Sequence, residues 1–402
     1  MDELTLRDAV ALALLRSPDL TAFSWEKRAR EARVLQARRH PNPKLEALVE
    51  NLGTDRDHIT GGRQTTLRLG QLIELGGKRS ARMAVASLEL DVAGWDYEIA
   101  RINLLSRVSR SFVDVLSAQR RTALAEEAVS LAERSAGVVS ERVEAGKASP
   151  IEETKASVAV ATARIGLDRT RRRLEASRRT LSATWGTTSP RFQSVVGDLN
   201  AIGPVPALDL LAQLLTRHPE LALWATEVSL RQATVDLEEA RRVPDLTVAG
   251  GYQRYSLGEG ADTFLVGISI PLPLFNRNRG RIEEARHQEA RAEEHRRAAH
   301  LRLGLALAAS YEALSSAYSE VTALRDTVLP AAQDVFDVVT EGYRLGRFGL
   351  LDVLDSQRTL FDVRHQYLRA AADYHKAVVD VERLIGAPLD SAELRQDGDL
   401  PR

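Results

Sequence analysis

The 402-residue chain contains no cysteine, which excludes disulfides, thiolate metal sites and cysteine nucleophiles together. It has almost no net charge: 55 basic residues face 56 acidic ones, so overall charge gives no reason to expect nucleic acid or an acidic surface as a partner. Aromatics make up only 5%. Ala, Leu, Val, Glu and Arg dominate instead, the composition of long helices and coiled coils rather than of a mixed sheet protein. No apolar run reaches the roughly 18 residues of a membrane-spanning helix, and the chain opens directly on a capped helix rather than a signal-peptide-like segment. Catalytic patterns are missing too. No Gly-x-Ser-x-Gly, P-loop or dinucleotide fingerprint occurs, no His-x-x-x-His pair occupies one helical face, and "LGEG" at 257–260 reads as a loop between strands. The reading is of a non-enzyme with no cofactor and no metal site.

What is present is a chain written twice. "RSPDLTAF" at 16–23 is echoed by "RHPELALW" at 217–224, and "ERVEAGKASPIEE" at 141–153 lies opposite "EGYRLGRFGLLDV" at 341–353. A first repeat over 1–185, a Gly- and Pro-bearing linker over 186–206, a second repeat over 207–390 and a tail over 391–402 follow from this offset of about 200 residues. Each repeat reads as helix, β-hairpin, then a long helical hairpin. The β-hairpins fall at about 43–75 and 245–274, and the helical hairpins turn near 146–150 and 346–350.

Strand candidates at 43–52, 64–75, 245–256 and 263–274 are each about ten residues long and alternate along part of their length. Leu45, Ala47 and Val49 share one face; so do Phe264, Val266, Ile268 and Ile270. Such strands match the span of an outer-membrane barrel. Residues 80–145 contain no proline and form a helix approaching 100 Å at about 1.5 Å per residue. Apolar seams run through Val321, Leu324, Val328, Ala331, Val335 and Val338, and through Leu360, Val363, Tyr367, Ala370, Tyr374, Ala377, Val381 and Leu384. Pro330 marks a new helix or a kink. The basic run "RTRRRLEASRR" at 169–179 has no interleaved aromatics and reads as a solvated helix face, not a nucleic-acid site. Trp25, Trp95, Trp185 and Trp224 read as packing residues, and Asp362 with His365 as an exposed helix ion pair.

Taken together, the tandem halves, the hairpins, the long helices and the motif Tyr343, Gly346, Asp352, Val353, Leu354, Asp355 resemble the TolC family of outer-membrane efflux proteins over nearly the whole chain. "QLIELGGKR" at 71–79 and "PLPLFNRNRGRIEEA" at 271–285 are similar to its heavy-metal-efflux, CzcC/CusC-like branch. The resemblance implies a homotrimer, with a twelve-stranded barrel in the outer membrane of a Gram-negative bacterium continuing into a periplasmic α-helical tunnel. It further implies a periplasmic adaptor and an inner-membrane RND pump as partners, outer-membrane lipid around the barrel, and heavy-metal cations as cargo, with drug efflux or protein export as the alternative.

Asp352 and Asp355 lie three apart on one helical face, where acidic residues favour a helix start. The resemblance places them at the channel constriction, where three copies would stack six carboxylates. Gly146 and Gly346 supply positive φ for the turns, and with Lys147 and Arg347 form the expected adaptor contact. Glu144, Glu152 and Arg344 are the expected ion-pair partners at the tip. A soluble coiled-coil scaffold would account for the helices but not for the paired hairpins or the tip motif.

Overall fold

The structure is a computed structural model and describes residues 3–52, 63–256 and 261–389. The loop read at 257–260 and the tail at 391–402 lie outside the described residues. One order of elements runs through the chain twice. The first half comprises α1 (Leu6–Arg16), α2 (Pro18–Ala37), β2 (Lys44–Glu50), β3 (Gln64–Ile73), α3 (Lys78–Glu144) and α4 (Pro150–Ala183). The second comprises α5 (Leu208–Leu215), α6 (Pro219–Ala240), β5 (Leu246–Tyr255), β6 (Ala261–Ser269), α7 (Arg279–Ala323), a π turn (Leu324–Val328), α8 (Leu329–Arg344) and α9 (Leu350–Ile385). Two short strands, β1 (Glu3–Thr5) and β4 (Ser194–Val196), pair in parallel.

The lead helix of each half is two helices rather than one. The breaks fall at Ser17-Pro18 and His218-Pro219, because a residue before proline is driven out of the helical region while proline itself suits a first helical position. The opening residues also differ from the expected immediate helix: β1 comes first, and Thr5 then caps α1 by accepting from the Asp8 N–H at 3.2 Å. The linker is not featureless either. It holds β4, and the Gln119 side chain mimics a further strand by bonding Val195 at both its N–H (2.8 Å) and its carbonyl (3.2 Å).

The chain divides into two compact units. In the unit formed by Met1–Ala22, Glu98–Pro219 and His300–Arg402, the long helices run antiparallel. Arg171 pairs with Glu126 and Arg164 with Glu133, so α4 descends as α3 rises. Lys376 with Asp114 and Arg364 with Glu127 set the same sense for α9 against α3. The basic run at 169–179 is thereby partly consumed in stapling helices. Leu104, Val108 and Val115 of α3, Leu314 and Val321 of α7, and Leu360, Val381 and Leu384 of α9 are all but completely buried.

The seam expected through α8 is displaced. Val321 and Leu324 are buried, but Val328, Val335 and Val338 are exposed, and the inward positions become 329, 332, 336, 339 and 343. The shift is one residue, which is what the π turn at Leu324–Val328 introduces. Pro330 follows directly and has no N–H to give to the helix, so the widened turn sits where the regular ladder is already broken. The α9 seam stands as read, except that Tyr367 is half-buried; its hydroxyl reaches Asn200 at 2.8 Å. Asp362 pairs with Arg358, not His365. Burial, with the Arg121 guanidinium adding to it, pushes the His365 pKa down.

In the unit formed by Phe23–Tyr97 and Glu220–Ala299, an antiparallel sheet runs in the order β2-β3-β5-β6. Its register aligns Leu45 with Leu69, Leu69 with Gly250 and Gly250 with Val266, and, two residues along, Ala47 with Leu67, Leu67 with Tyr252 and Tyr252 with Phe264. One face is therefore apolar across these rows, giving way to Thr65, Arg254 and Asp262 at one end; Lys44, Glu46, Thr66, Arg68, Gln253 and Thr263 occupy the other face, together with Leu48 and Leu265. The apolar face is bare: Phe264 is 83% exposed and Val266 85%. The last strand ends at Ser269 rather than near 274, because Pro271 and Pro273 have no N–H for a ladder. Trp95 donates to the Thr226 hydroxyl at 3.0 Å and Trp224 stacks on His295, but Trp25 is no packing residue: it is exposed, beneath the Arg28 guanidinium.

Candidate functional site

The two helical hairpins turn by the same hydrogen bonds. At the first tip the Gly146 N–H donates to the Val143 carbonyl and the Lys147 N–H to Arg142; at the second, Gly346 donates to Tyr343 and Arg347 to Gly342. This closure needs a left-handed residue at the helix end, and Gly146 (φ 69°) and Gly346 (φ 75°) provide it. A Cβ at either would meet nothing, so backbone conformation rather than space demands glycine. Gly146, Lys147, Gly346 and Arg347 are all exposed.

The helices leaving the turns start differently. Ser149 caps α4, its hydroxyl accepting from the Ile151 N–H, with Pro150 in the first turn. At α9, Gly349 has no side chain to cap with; instead the Asp352 carboxylate reaches back to accept from the Gly349 N–H at 2.8 Å. Asp355, one turn on, is exposed and makes no hydrogen bond or ion pair among the described residues. Both lie on the flank turned away from Leu350, Val353, Ser356 and Leu360, which are buried. The two carboxylates thus do different work: one holds the helix start and the other is unengaged.

Beneath the turns lies a cluster of Val139 (α3), Ala156 (α4), Tyr343 (α8), and Leu350 and Val353 (α9), joined by Val143, Val339 and Leu354. It locks the two hairpins together. Arg142 crosses from the first: its guanidinium lies over the Tyr343 ring at 4.5 Å and donates to the Tyr343 carbonyl at 3.2 Å. The Tyr343 hydroxyl is buried and has no hydrogen-bond partner among the described residues. Burial pushes its pKa up, Arg142 opposes, and Glu152 adds to the rise. Of the other residues expected to pair, Arg344 bonds Glu341 within its own helix at 3.5 Å, whereas the side chains of Glu144, Glu152, Lys147 and Arg347 make no ion pair among the described residues.

Arg142, Gly342 and Phe348 were not singled out in the sequence. A Cβ on Gly342 would lie 2.3 Å from the Phe348 ring, so this glycine exists to seat that ring. The offset of the repeats held a signal: Arg142 stands opposite Gly342 and Ala148 opposite Phe348, an exchange of large and small residues between the halves. Among the described residues no three His, Asp or Glu side chains gather as metal ligands.

A family model described as outer membrane efflux protein matches residues 9–187 and again 210–387. The chain is 37% identical to the cobalt-zinc-cadmium resistance protein CzcC of Cupriavidus metallidurans, over 95% of this chain and 90% of that protein. It is 28% identical to the nickel-cobalt-cadmium resistance protein NccC of Alcaligenes xylosoxydans xylosoxydans, over 68% and 62%. The solved structure of CusC superposes with a TM-score of 0.80 at 16% identity, covering 95% of this chain and 92% of that one, a likeness of fold. The sequence match spans both halves and both tips, and by it this chain belongs to the outer membrane efflux protein family.

Proposed function

We propose that three copies of this outer-membrane protein close a twelve-stranded barrel and conduct heavy-metal cations passively outward, received from a periplasmic adaptor docked on an inner-membrane RND pump. The observation that carries the reading is the four-stranded sheet: one face apolar and bare, and both edge strands, β2 and β6, unpaired on their outer sides among the described residues. Bare strand edges are a liability that closure removes, and a bare apolar face belongs against lipid. The cation cargo is supported by the relatives named for cobalt, zinc, cadmium and nickel resistance.

In this reading the second tip is the gate. Threefold symmetry brings Asp355 of each copy into one ring and Asp352 into a second, and carboxylates crowded together attract cations. The exposed turns at Gly146-Lys147 and Gly346-Arg347 receive the adaptor, small enough for close approach and with two unpaired cations to offer. Single-channel recording from detergent-purified protein tests the whole. Trimers forming cation-preferring pores, blocked by multivalent cations in wild type and weakly in Asp355→Asn, are expected. A protein that stays monodisperse without detergent and forms no pores would overturn the reading.

A further inference from the structure

The two junctions between sheet and long helices treat their basic residues in opposite ways. At the first, each is spent internally: Lys78 pairs with Asp245, Arg82 with Glu74, and Arg79 donates to the Arg38 carbonyl at 3.0 Å. At the second, Arg277, Arg279 and Arg281 are exposed and make no hydrogen bond or ion pair among the described residues.

Just before them the apolar face of β6 outlasts the strand. Phe264, Val266 and Ile268 are followed at the same two-residue spacing by Ile270, Leu272 and Leu274, all exposed, and then by Phe275, 98% exposed. Hydrogen-bonded β6 contributes only six residues of this stripe, 264–269, about 20 Å at 3.3 Å per residue. Tilted by about 45°, that covers little more than half of an apolar band about 25 Å tall. Beyond the strand the chain turns between Leu272 and Leu274, and Ile270, Leu272, Leu274 and Phe275 add exposed apolar side chains where the strand itself falls short of the band. The backbone beyond the strand has fewer N–H groups to satisfy. Pro271 and Pro273 have no N–H, and the Leu274 N–H is satisfied by the Leu272 carbonyl at 2.9 Å. Asn278 then ends the segment: in a left-handed conformation (φ 58°), its amide donates to both the carbonyl and the carboxylate of buried Glu238, each at 2.8 Å. This pin to α6 holds the arginines immediately beyond the last apolar side chain.

We infer that Arg277, Arg279 and Arg281 bind the phosphates of anionic phospholipid headgroups at the periplasmic surface of the outer membrane, with Leu272, Leu274 and Phe275 seated in the adjoining hydrocarbon. The inference rests on the membrane-channel reading above and adds a lipid site to it. Guanidinium forks match phosphate oxygens, and each basic group near an anionic surface strengthens attachment about fivefold.

The test uses the full-length protein. Wild type and Arg277→Gln/Arg279→Gln/Arg281→Gln are incorporated into vesicles of phosphatidylcholine with or without 30% phosphatidylglycerol, and co-purifying lipid is quantified. Wild type is expected to retain phosphatidylglycerol preferentially, and the variant to lose that preference by one to two orders of magnitude while conductance is kept. Equal preference in the two proteins would overturn the inference and leave the channel reading intact, as would displacement of the lipid by millimolar inorganic phosphate, which would mark a free-anion site. Loss of the trimer in the variant would make the arginines subunit contacts and overturn it too. A second measurement does not depend on the variant's folding. Because the chain has no native cysteine, Phe275→Cys carries a single nitroxide, expected at the boundary of hydrocarbon and headgroup; a water-exposed or protein-buried label contradicts the seating. Wild type that enters no vesicle defeats both this inference and the channel reading.

Discussion

The two hairpin tips close by the same backbone bonds and then diverge in every side chain that matters. The first is made of a serine cap, a proline and an outreaching arginine; opposite Asp355 it has Lys155, which is exposed. The second buries a tyrosine, seats a phenylalanine on a glycine and leaves a carboxylate free. Duplication supplied one turn geometry twice, and the halves then split the labour. One tip braces, by sending Arg142 across; the other supplies the aromatic centre of the shared cluster and the acidic face.

That division can be broken first at Tyr343. Tyr343→Ala removes the centre of the shared cluster and should cost on the order of 3 kcal/mol, freeing both tips together. Hydrogen exchange should show faster exchange over α3 and α4 ends as well as α8 and α9; loss confined to the second hairpin would mean that the tips are independent. Tyr343→Phe should be neutral or slightly stabilising, since the hydroxyl it deletes is buried without a partner among the described residues. Next in size is Gly342→Leu, which drives the Phe348 ring out and should cost about 1–3 kcal/mol; Phe348→Ala in the same chain should recover part of that, as read by limited proteolysis at the tip.

Smaller effects sharpen the contrast. Gly146→Ala and Gly346→Ala should each cost about 1 kcal/mol and match one another, because positive φ is the sole requirement at both; unequal losses would point to a contact at one turn alone. Asp352→Asn should weaken the α9 start by about 1 kcal/mol, whereas Asp355→Asn should leave stability unchanged, with both reducing cation block in bilayer recordings. The smallest is an alkaline effect. The Tyr343 pKa is raised in the folded chain, so the unfolded chain loses its proton first. The contribution is whole below the ordinary tyrosine pKa of about 10 and is lost as pH rises beyond it. Wild type should therefore lose tip protection above that pH more steeply than Tyr343→Phe; parallel curves would exclude the effect.

Much of this architecture is legible in the sequence. The offset of the repeats, the alternation within the strands and the placement of glycine are periodic or local signals, and a sequence carries those directly. What escaped depended on pairing across distance or on backbone count. Nothing local reveals that Arg142 stacks on a tyrosine 201 positions away. The free state of Asp355 and the engaged state of Asp352 also look alike in sequence; only the missing side chain at Gly349 separates them. The α8 seam failed for a different reason: its heptad spacing continues unbroken through Pro330, while the helix that carries it does not.

The π turn also limits how this helix can vary. Residues before Leu324 and after Val328 belong to two rotational frames joined by one surplus residue. Removing that residue would turn everything from Pro330 to the tip by about 100°, carrying Tyr343 off Arg142 and swinging the α8 face that meets α9, although no side chain in either contact had been altered. Substitutions on either side carry no such penalty. A substitution in this helix is thus felt where it is made, whereas a change in residue count is felt all the way to the tip: the π turn is the vernier that keeps the α7 packing and the tip in phase.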